Sequence, residues 1–372
     1  MRILLWHVHG GWMEAFVRGP HQYFLPKTAV GGPWGLGRGG RNWPASAVEI
    51  SPEQLRDADI DVVVLQRVEE IGECVRLMGR RPGRDLPAVY LEHNTPKGNV
   101  PAAVHPLADQ SNIPLIHVTH FNQLFWDSGR APVRVIEHGI PDPGYRYTGE
   151  REHLGVVIND PVRRWRVTGT DLLPRFARAA ALEVFGMGTD GLVEATGLGP
   201  DELTVRGDLP TADLHAQLAG CRAYLHPMRW TSLGLSLLEA MHLGLPVLAL
   251  ATTEAGRAVP PEAGAISTDV GELVQAAAHL VEDPDDARIR GRAARDFALE
   301  HYGLAAFLAA WDTVLSDVAD GSGTTGAVSG DTGSGDTGSG DTGSRAAEGP
   351  PTRGTEPMRE TELSGAAGGG KQ

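Results

Sequence analysis

Short runs of apolar, often β-branched residues recur along about the first 320 positions of the chain, and stretches with helical spacing of apolar residues lie between them. Residues 3–9, 61–66, 88–93, 114–119 and 133–138 form one series. Residues 154–158, 182–186, 223–226 and 246–251 form a second. These runs are apolar throughout rather than alternating, which suits strands covered on both faces. Strands interleaved with helices imply parallel sheets. Between the two series, Pro141, Pro143, Gly144 and Gly149 cluster within residues 141–152, a turn-rich joint. The pattern therefore predicts two α/β units, at 1–145 and 146–299, followed by an amphipathic stretch at 300–318. In open parallel sheets, ligands sit beyond the carboxyl ends of the strands. The positions to inspect are His9-Gly10-Gly11, His93-Asn94, His120, His138-Gly139, and residues 159–166 and 227–234.

From residue 319 to 372 the composition shifts to Gly, Ser, Thr and Asp, and Asp331-Thr332-Gly333-Ser334-Gly335 opens a five-residue repeat. Such a segment buries too little apolar surface to offset its ordering entropy, so a disordered tail is expected. The nine-residue period of calcium-binding β-rolls is absent.

A length of 372 residues suits two domains. The formal net charge of −14 argues against a nucleic-acid partner, because an acidic chain repels phosphate backbones. A few local arginines can still hold a small diphosphate. Cys74 and Cys221 form neither a disulfide framework nor a zinc spacing, which suits a reducing compartment and a cytoplasmic location. No apolar run approaches the roughly 18 residues of a transmembrane segment. The N-terminus breaks at His7 and Gly10-Gly11, so it reads as a first strand rather than a signal peptide.

The most informative stretch spans residues 226–249. It reads strand, loop, helix, tight turn, strand: His226-Pro227 open it, Leu238-Glu239-Ala240-Met241 lie on the helix, and Gly244-Leu245-Pro246-Val247 turn out of it. Ser232 is the expected N-cap, and Gly244 with Pro246 is a stop signal. Gly234, Leu237, Leu238 and Met241 make a stripe at helical spacing, and Glu239 falls on another face. Gly234 admits a ligand close to the helix N-terminus, where free amides favour phosphate.

In identity and spacing this stretch resembles the signature of the retaining group 1 glycosyltransferases. The family pattern is a proline, then Glu-Gly-Phe-Gly-Leu, then a second Glu in Leu-Glu-Ala-Met and a Gly-x-Pro-Val turn. The resemblance implies the GT-B fold, an α/β architecture of two facing Rossmann-like domains. It implies transfer of a sugar from a nucleotide-sugar donor to an acceptor that the sequence does not identify. It also gives Glu239 the ribose hydroxyls, a role that suits a carboxylate accepting two hydrogen bonds from a diol. The first Glu of the family pair falls on Thr231, and Ser232 and Leu233 replace Gly and Phe. Thr231, Ser232, Gly234 and Leu235 thus line the expected donor site, without the charge of that first Glu.

Other positions follow from the same resemblance. The family grips the donor diphosphate with an Arg and a Lys in the loop that opens the second domain. Here Arg166 is the first candidate and Arg163 the second, in a loop preceding a helix that Thr168 or Thr170 caps. Gly10 and Gly11 match a glycine pair near the diphosphate, and His93 a histidine beside the donor sugar. Residues 135–141, with His138, resemble the turn that closes the first domain. Arg206 and Leu209, before a helix capped by Thr211, correspond to the base pocket. The 300–318 helix is expected to cross back to the first domain.

The resemblance predicts retention of anomeric configuration, with no bound metal and no cofactor beyond the donor. Three rivals stay open. His7 and His9 straddle one residue as metal ligands of amidohydrolases do, though no further ligand set follows. A nucleotide-sugar epimerase or hydrolase on the same fold is a second. A non-catalytic nucleotide-sugar-binding homologue is the third.

Overall fold

A computed structural model describes residues 1–321 of the chain. Seven strands make the first sheet: β1 (Arg2–Leu5), β2 (Gln22–Pro26), β3 (Ala47–Ile50), β4 (Val62–Leu65), β5 (Ala88–Glu92), β6 (Leu115–His117) and β7 (Val133–Val135). Six make the second: β8 (Arg151–Val157), β9 (Ala181–Phe185), β10 (Leu203–Gly207), β11 (Cys221–His226), β12 (Val247–Leu250) and β13 (Gly264–Ser267). The orders are β3-β2-β1-β4-β5-β6-β7 and β10-β9-β8-β11-β12-β13, and every pairing is parallel. Each sheet reverses its winding at its first strand, which opens a crevice at the carboxyl edge there. This is the expected α/β class with two Rossmann-like sheets.

The central strands explain why the sequence pattern is legible. All four residues of β4 and of β12 are buried, so each is an unbroken apolar run. Four strands, β2, β3, β10 and β13, are absent from the sequence-based expectation. Three of them are sheet edges, only partly buried, and β13 is half-buried at every residue. An edge strand needs no continuous apolar run. The observed strands also stop earlier than expected: β1 ends at Leu5, leaving His7 and His9 in the following loop.

The helix Leu304–Ala319 puts Phe307, Trp311, Val314 and Leu315 into the core of the first sheet, against Trp12 and Phe16. Trp12 stacks on Phe16, and Trp311 meets both edge-on at 5.5 and 5.1 Å. The chain returns to the first sheet beside its exit point, where the Ile140 amide donates to the Tyr302 carbonyl at 2.9 Å. Gly139 is required there, since a Cβ would lie 2.3 Å from that of Phe307. The expected tail lies outside the described residues, apart from its first few positions.

Candidate active site

The carboxyl ends of the two sheets meet. The Trp230 indole, in the loop after β11, donates to the Pro96 carbonyl after β5 at 3.0 Å. Its ring lies edge-on to Phe121 and Phe125 of the helix His120–Phe125. The Phe121 amide at the start of that helix donates to Glu254, after β12, at 2.7 Å. Arg257 lies 3.1 Å from Glu254 and 3.6 Å from Glu137, after β7. A Cβ on Gly11 would sit 2.9 Å from Leu235 Cδ1, so the glycine lets the second sheet's helix approach the first sheet.

The first-sheet wall is built from histidines. The His9 and His93 rings lie 3.9 Å apart, and Trp12 meets His93 edge-on. Burial lowers the pKa of both, and that of His138 to about 4; neighbouring histidines add to the effect at His93 and His138, while at His9 Glu92 opposes it and Arg67 adds to it. All three are neutral near pH 7. The Gln66 amide fixes the tautomer of His93. Its nitrogen donates to the Trp6 carbonyl, so its oxygen accepts from His93 Nε2–H at 3.0 Å. His93 Nδ1 is left as an acceptor. His7 faces elsewhere: its Nδ1 bonds the Gly37 carbonyl and its ring packs on Trp43. The pair spaced like amidohydrolase ligands is therefore split.

Gly10 and Gly11 are the first residues of the helix Gly10–Phe16. A Cβ on Gly10 would meet the Arg41 guanidinium at 2.5 Å. Arg41 ends a glycine-rich loop whose Gly37, Gly39 and Gly40 have positive φ.

On the second wall, the helix carrying Glu239 spans Leu235–Leu243 and is capped by Gly234 without a side-chain bond. The expected Ser232 cap is therefore wrong by two residues. Gly234 is extended, because the preceding loop first reaches across to Pro96 through Trp230. Ser232 is buried in that loop, Thr231 half-buried beside it. Gly234 also makes room for a histidine: its Cβ would lie 2.7 Å from His226 Cε1. Leu237, Leu238 and Met241 are fully buried, while Glu239 is about a quarter exposed and accepts no hydrogen bond. Among the described residues, the basic side chain beside it is His215, its Nε2 at 3.6 Å. Gly244 ends the helix in the left-handed region.

The arginines lie not in a loop but in the short helix Pro161–Thr168, kinked at Trp165. Proline at its first position explains the early start. Thr168 and Thr170 therefore do not cap a following helix; Thr170 Oγ1 donates back to the Pro161 carbonyl at 2.9 Å. Arg163 pairs with Asp160 and Arg166 with Asp171, and both side chains are 72% exposed. Arg164 is half-buried and has no partner among the described residues; burial and Arg163 lower its pKa.

Arg229, overlooked in the sequence although it stands inside the 226–249 motif, organises this region. It bonds Asp171 through both terminal nitrogens, at 2.5 and 2.9 Å, and the Arg166 carbonyl at 2.9 Å. Burial alone would raise the Asp171 pKa, but Arg229 and Arg166 bring it below the usual range. Gly169 holds the other side of the turn, its φ of 73° placing a would-be Cβ 1.9 Å from the Pro227 carbonyl. Thr211 begins its helix rather than capping it, and Arg206 is tied to the buried Glu183 at 3.0 Å.

Residues 167–283 match the family model described as glycosyl transferases group 1. No curated protein matches the chain in sequence. Solved structures do match in fold. Sucrose-phosphate synthase from Thermosynechococcus elongatus superposes with a TM-score of 0.65 at 16% identity, covering 86% of this chain and 100% of that one. Anabaena HepE in complex with UDP-glucose gives 0.62 at 16% identity, over 85% and 100%. The pneumococcal O-GlcNAc transferase GtfA in complex with UDP and GlcNAc gives 0.53 at 14% identity, over 69% and 56%. Residues 167–283 thus match the group 1 glycosyltransferase model, within a two-sheet fold shared with these GT-B structures.

Proposed function

We propose that the protein transfers a glycosyl group from a nucleoside diphosphate sugar, UDP-linked by preference, to an acceptor, with retention at the anomeric carbon. The observation that carries this reading is Glu239: a partly buried carboxylate with no hydrogen-bond donor, on the family motif. A vicinal diol satisfies such a group with two bonds at once. UDP or UDP-glucose is present in two of the matched structures, which supports uridine as the base.

In this reading the diphosphate lies near the arginine helix. Arg166 and Arg163, both largely exposed, exchange their carboxylate partners for phosphate, and Arg164, without a partner among the described residues, adds to the field. Arg229 is a positioning residue that holds the Arg166 backbone. Gly10 and Gly11 admit the donor close to the first sheet. His93 accepts a sugar hydroxyl at Nδ1, and Thr231, with Ser232, gives the sugar a neutral contact. The leaving diphosphate gains charge as the bond breaks, and the guanidiniums stabilise it without a metal. Burial pushes the thiols of Cys74 and Cys221 up to about 12, so both are inert.

Glu239→Ala is expected to weaken UDP binding by about 1.5–3 kcal/mol, on the scale of a charged hydrogen bond, with the melting temperature unchanged. Unchanged affinity in calorimetry removes Glu239 from the site. A thermal-shift panel of UDP-, GDP- and dTDP-sugars identifies the base, because a ligand of the folded form raises the transition. Thr231 favours a second reading, a nucleotide-sugar-binding protein without transfer. Binding with no turnover across a broad acceptor panel supports that alternative, and product analysis without acceptor separates an epimerase or hydrolase.

A further inference from the structure

A cavity of about 560 Å³ opens at the junction of the two sheets, lined by Pro96, Lys97, Gly98, Val100, Pro101 and Trp230. Its volume is that of a small-molecule site. Its walls continue directly from the proposed sugar contacts. Pro96 follows His93 by three residues, at most about 11 Å of chain, and Trp230 adjoins Thr231 at about 3.8 Å between Cα atoms. With His93 and Thr231 as sugar contacts, an occupant of this cavity lies on the sugar side of the cleft.

The chemistry of the lining selects against a plain saccharide. Trp230 has already spent its indole N–H on the Pro96 carbonyl, so it offers the cavity only carbon. Pro96 and Pro101 have no amide hydrogen, and Val100 is aliphatic. Sugar hydroxyls would enter with few partners, at the cost of unmatched polar groups. The exception is Lys97, exposed and without an ion pair among the described residues. Apolar surface continues beyond the mouth. Val104 is 60% exposed, and its bridge to Asp127 brings it beside the helix carrying Leu124, which is 80% exposed.

We propose that this cavity receives the apolar portion of an amphiphilic acceptor, an alkyl, isoprenyl or aromatic group adjoining a phosphate or carboxylate that pairs with Lys97. The assignment rests on the glycosyl-transfer reading, and it makes the acceptor neither a free sugar nor a protein side chain. Apolar burial on Trp230 and Val100 holds the acceptor, and the ammonium sets its orientation.

The test uses the full chain with saturating UDP and monomeric decyl phosphate as the probe, read by calorimetry. Decyl phosphate is expected to bind, octanol more weakly, and inorganic phosphate not measurably. Val100→Asp, at the half-buried start of the short helical turn Val100–Ala102, should weaken decyl phosphate at least ten-fold and leave UDP affinity unchanged. Lys97→Gln should bring decyl phosphate to within about three-fold of octanol. Trp230→Phe keeps the carbon face and should retain binding. In turnover, octyl glycosides should exceed methyl glycosides at least ten-fold in kcat/KM, a preference that Val100→Asp removes. Decyl phosphate binding that survives Val100→Asp, or equal use of octyl and methyl acceptors, overturns the proposal. Failure of UDP to bind the wild type overturns the nucleotide reading instead, and the decyl phosphate arm still judges the cavity.

Discussion

The two walls of the cleft solve different chemical problems. The first-sheet wall is neutral: His9, His93 and His138 are held uncharged by burial, and His93 packs against both His9 and Trp12. The second-sheet wall is charged: Arg163, Arg164, Arg166, Arg229, Asp171 and Glu239 gather on it. A neutral, shaped surface suits hydroxyls and apolar groups, whereas a nucleotide diphosphate needs charge and a diol acceptor. The sequence match at 167–283 lies wholly on the second-sheet side, where it takes in Asp171, Arg229 and Glu239 and begins just after Arg166. Charged recognition ties residue identity to spacing, while a neutral wall can be built in many ways.

Backbone tolerance gives the sharpest test of this contrast. Gly169→Ala puts a Cβ 1.9 Å from the Pro227 backbone at a left-handed φ, so it should destabilise the protein by about 3 kcal/mol or more. Gly11→Ala meets only the end of the Leu235 side chain, at 2.9 Å, and should cost about 1 kcal/mol or less. Urea unfolding of the two variants decides it, and equal losses would dissolve the distinction between a locked wall and a yielding one.

Acid comes next. Burial lowers the pKa of His117, His138 and His226 to about 4, below the unfolded value near 6.5. The unfolded state binds more protons between those values, so stability falls as the pH drops from about 6.5 toward 4. Each histidine contributes a loss of roughly 2 kcal/mol by pH 4.5. A melting temperature that holds steady from pH 7 to 5 would show that these rings are not buried neutral.

Arg229→Ala should reduce donor affinity more than Arg166→Ala, because it frees Asp171 and the Arg166 carbonyl together. A difference of about ten-fold in the Kd for UDP is expected, on the scale of one charged hydrogen bond. The reverse order would show that Arg166 reaches the phosphate without the support of Arg229. The smallest effect belongs to Thr231→Val, which removes one neutral hydrogen bond. It should lower kcat about five-fold while sparing affinity for free UDP. Unchanged kinetics with every donor would take residue 231 out of the sugar site.

The sequence by itself determined the buried strands, the parallel two-sheet class and the 226–249 motif. Each is a local signal: β4 and β12 are apolar at every residue, and Gly244 with Pro246 ends a helix wherever it stands. Three edge strands, β3, β10 and β13, left no such trace, since a half-buried strand needs no apolar run, whereas the edge strand β7 did. Only the tertiary structure decided the rest. Ser232 has the chemistry of a cap, but the reach of Trp230 to Pro96 moves the helix start to Leu235. Arg229 resembles any surface arginine until Asp171, 58 positions away, comes within 2.5 Å. His93 reads as able to donate or accept until Gln66, fixed by the Trp6 carbonyl, leaves only its Nδ1 free. These features depend on contacts distant in sequence, and residue-by-residue patterns carry no information about which distant groups will meet.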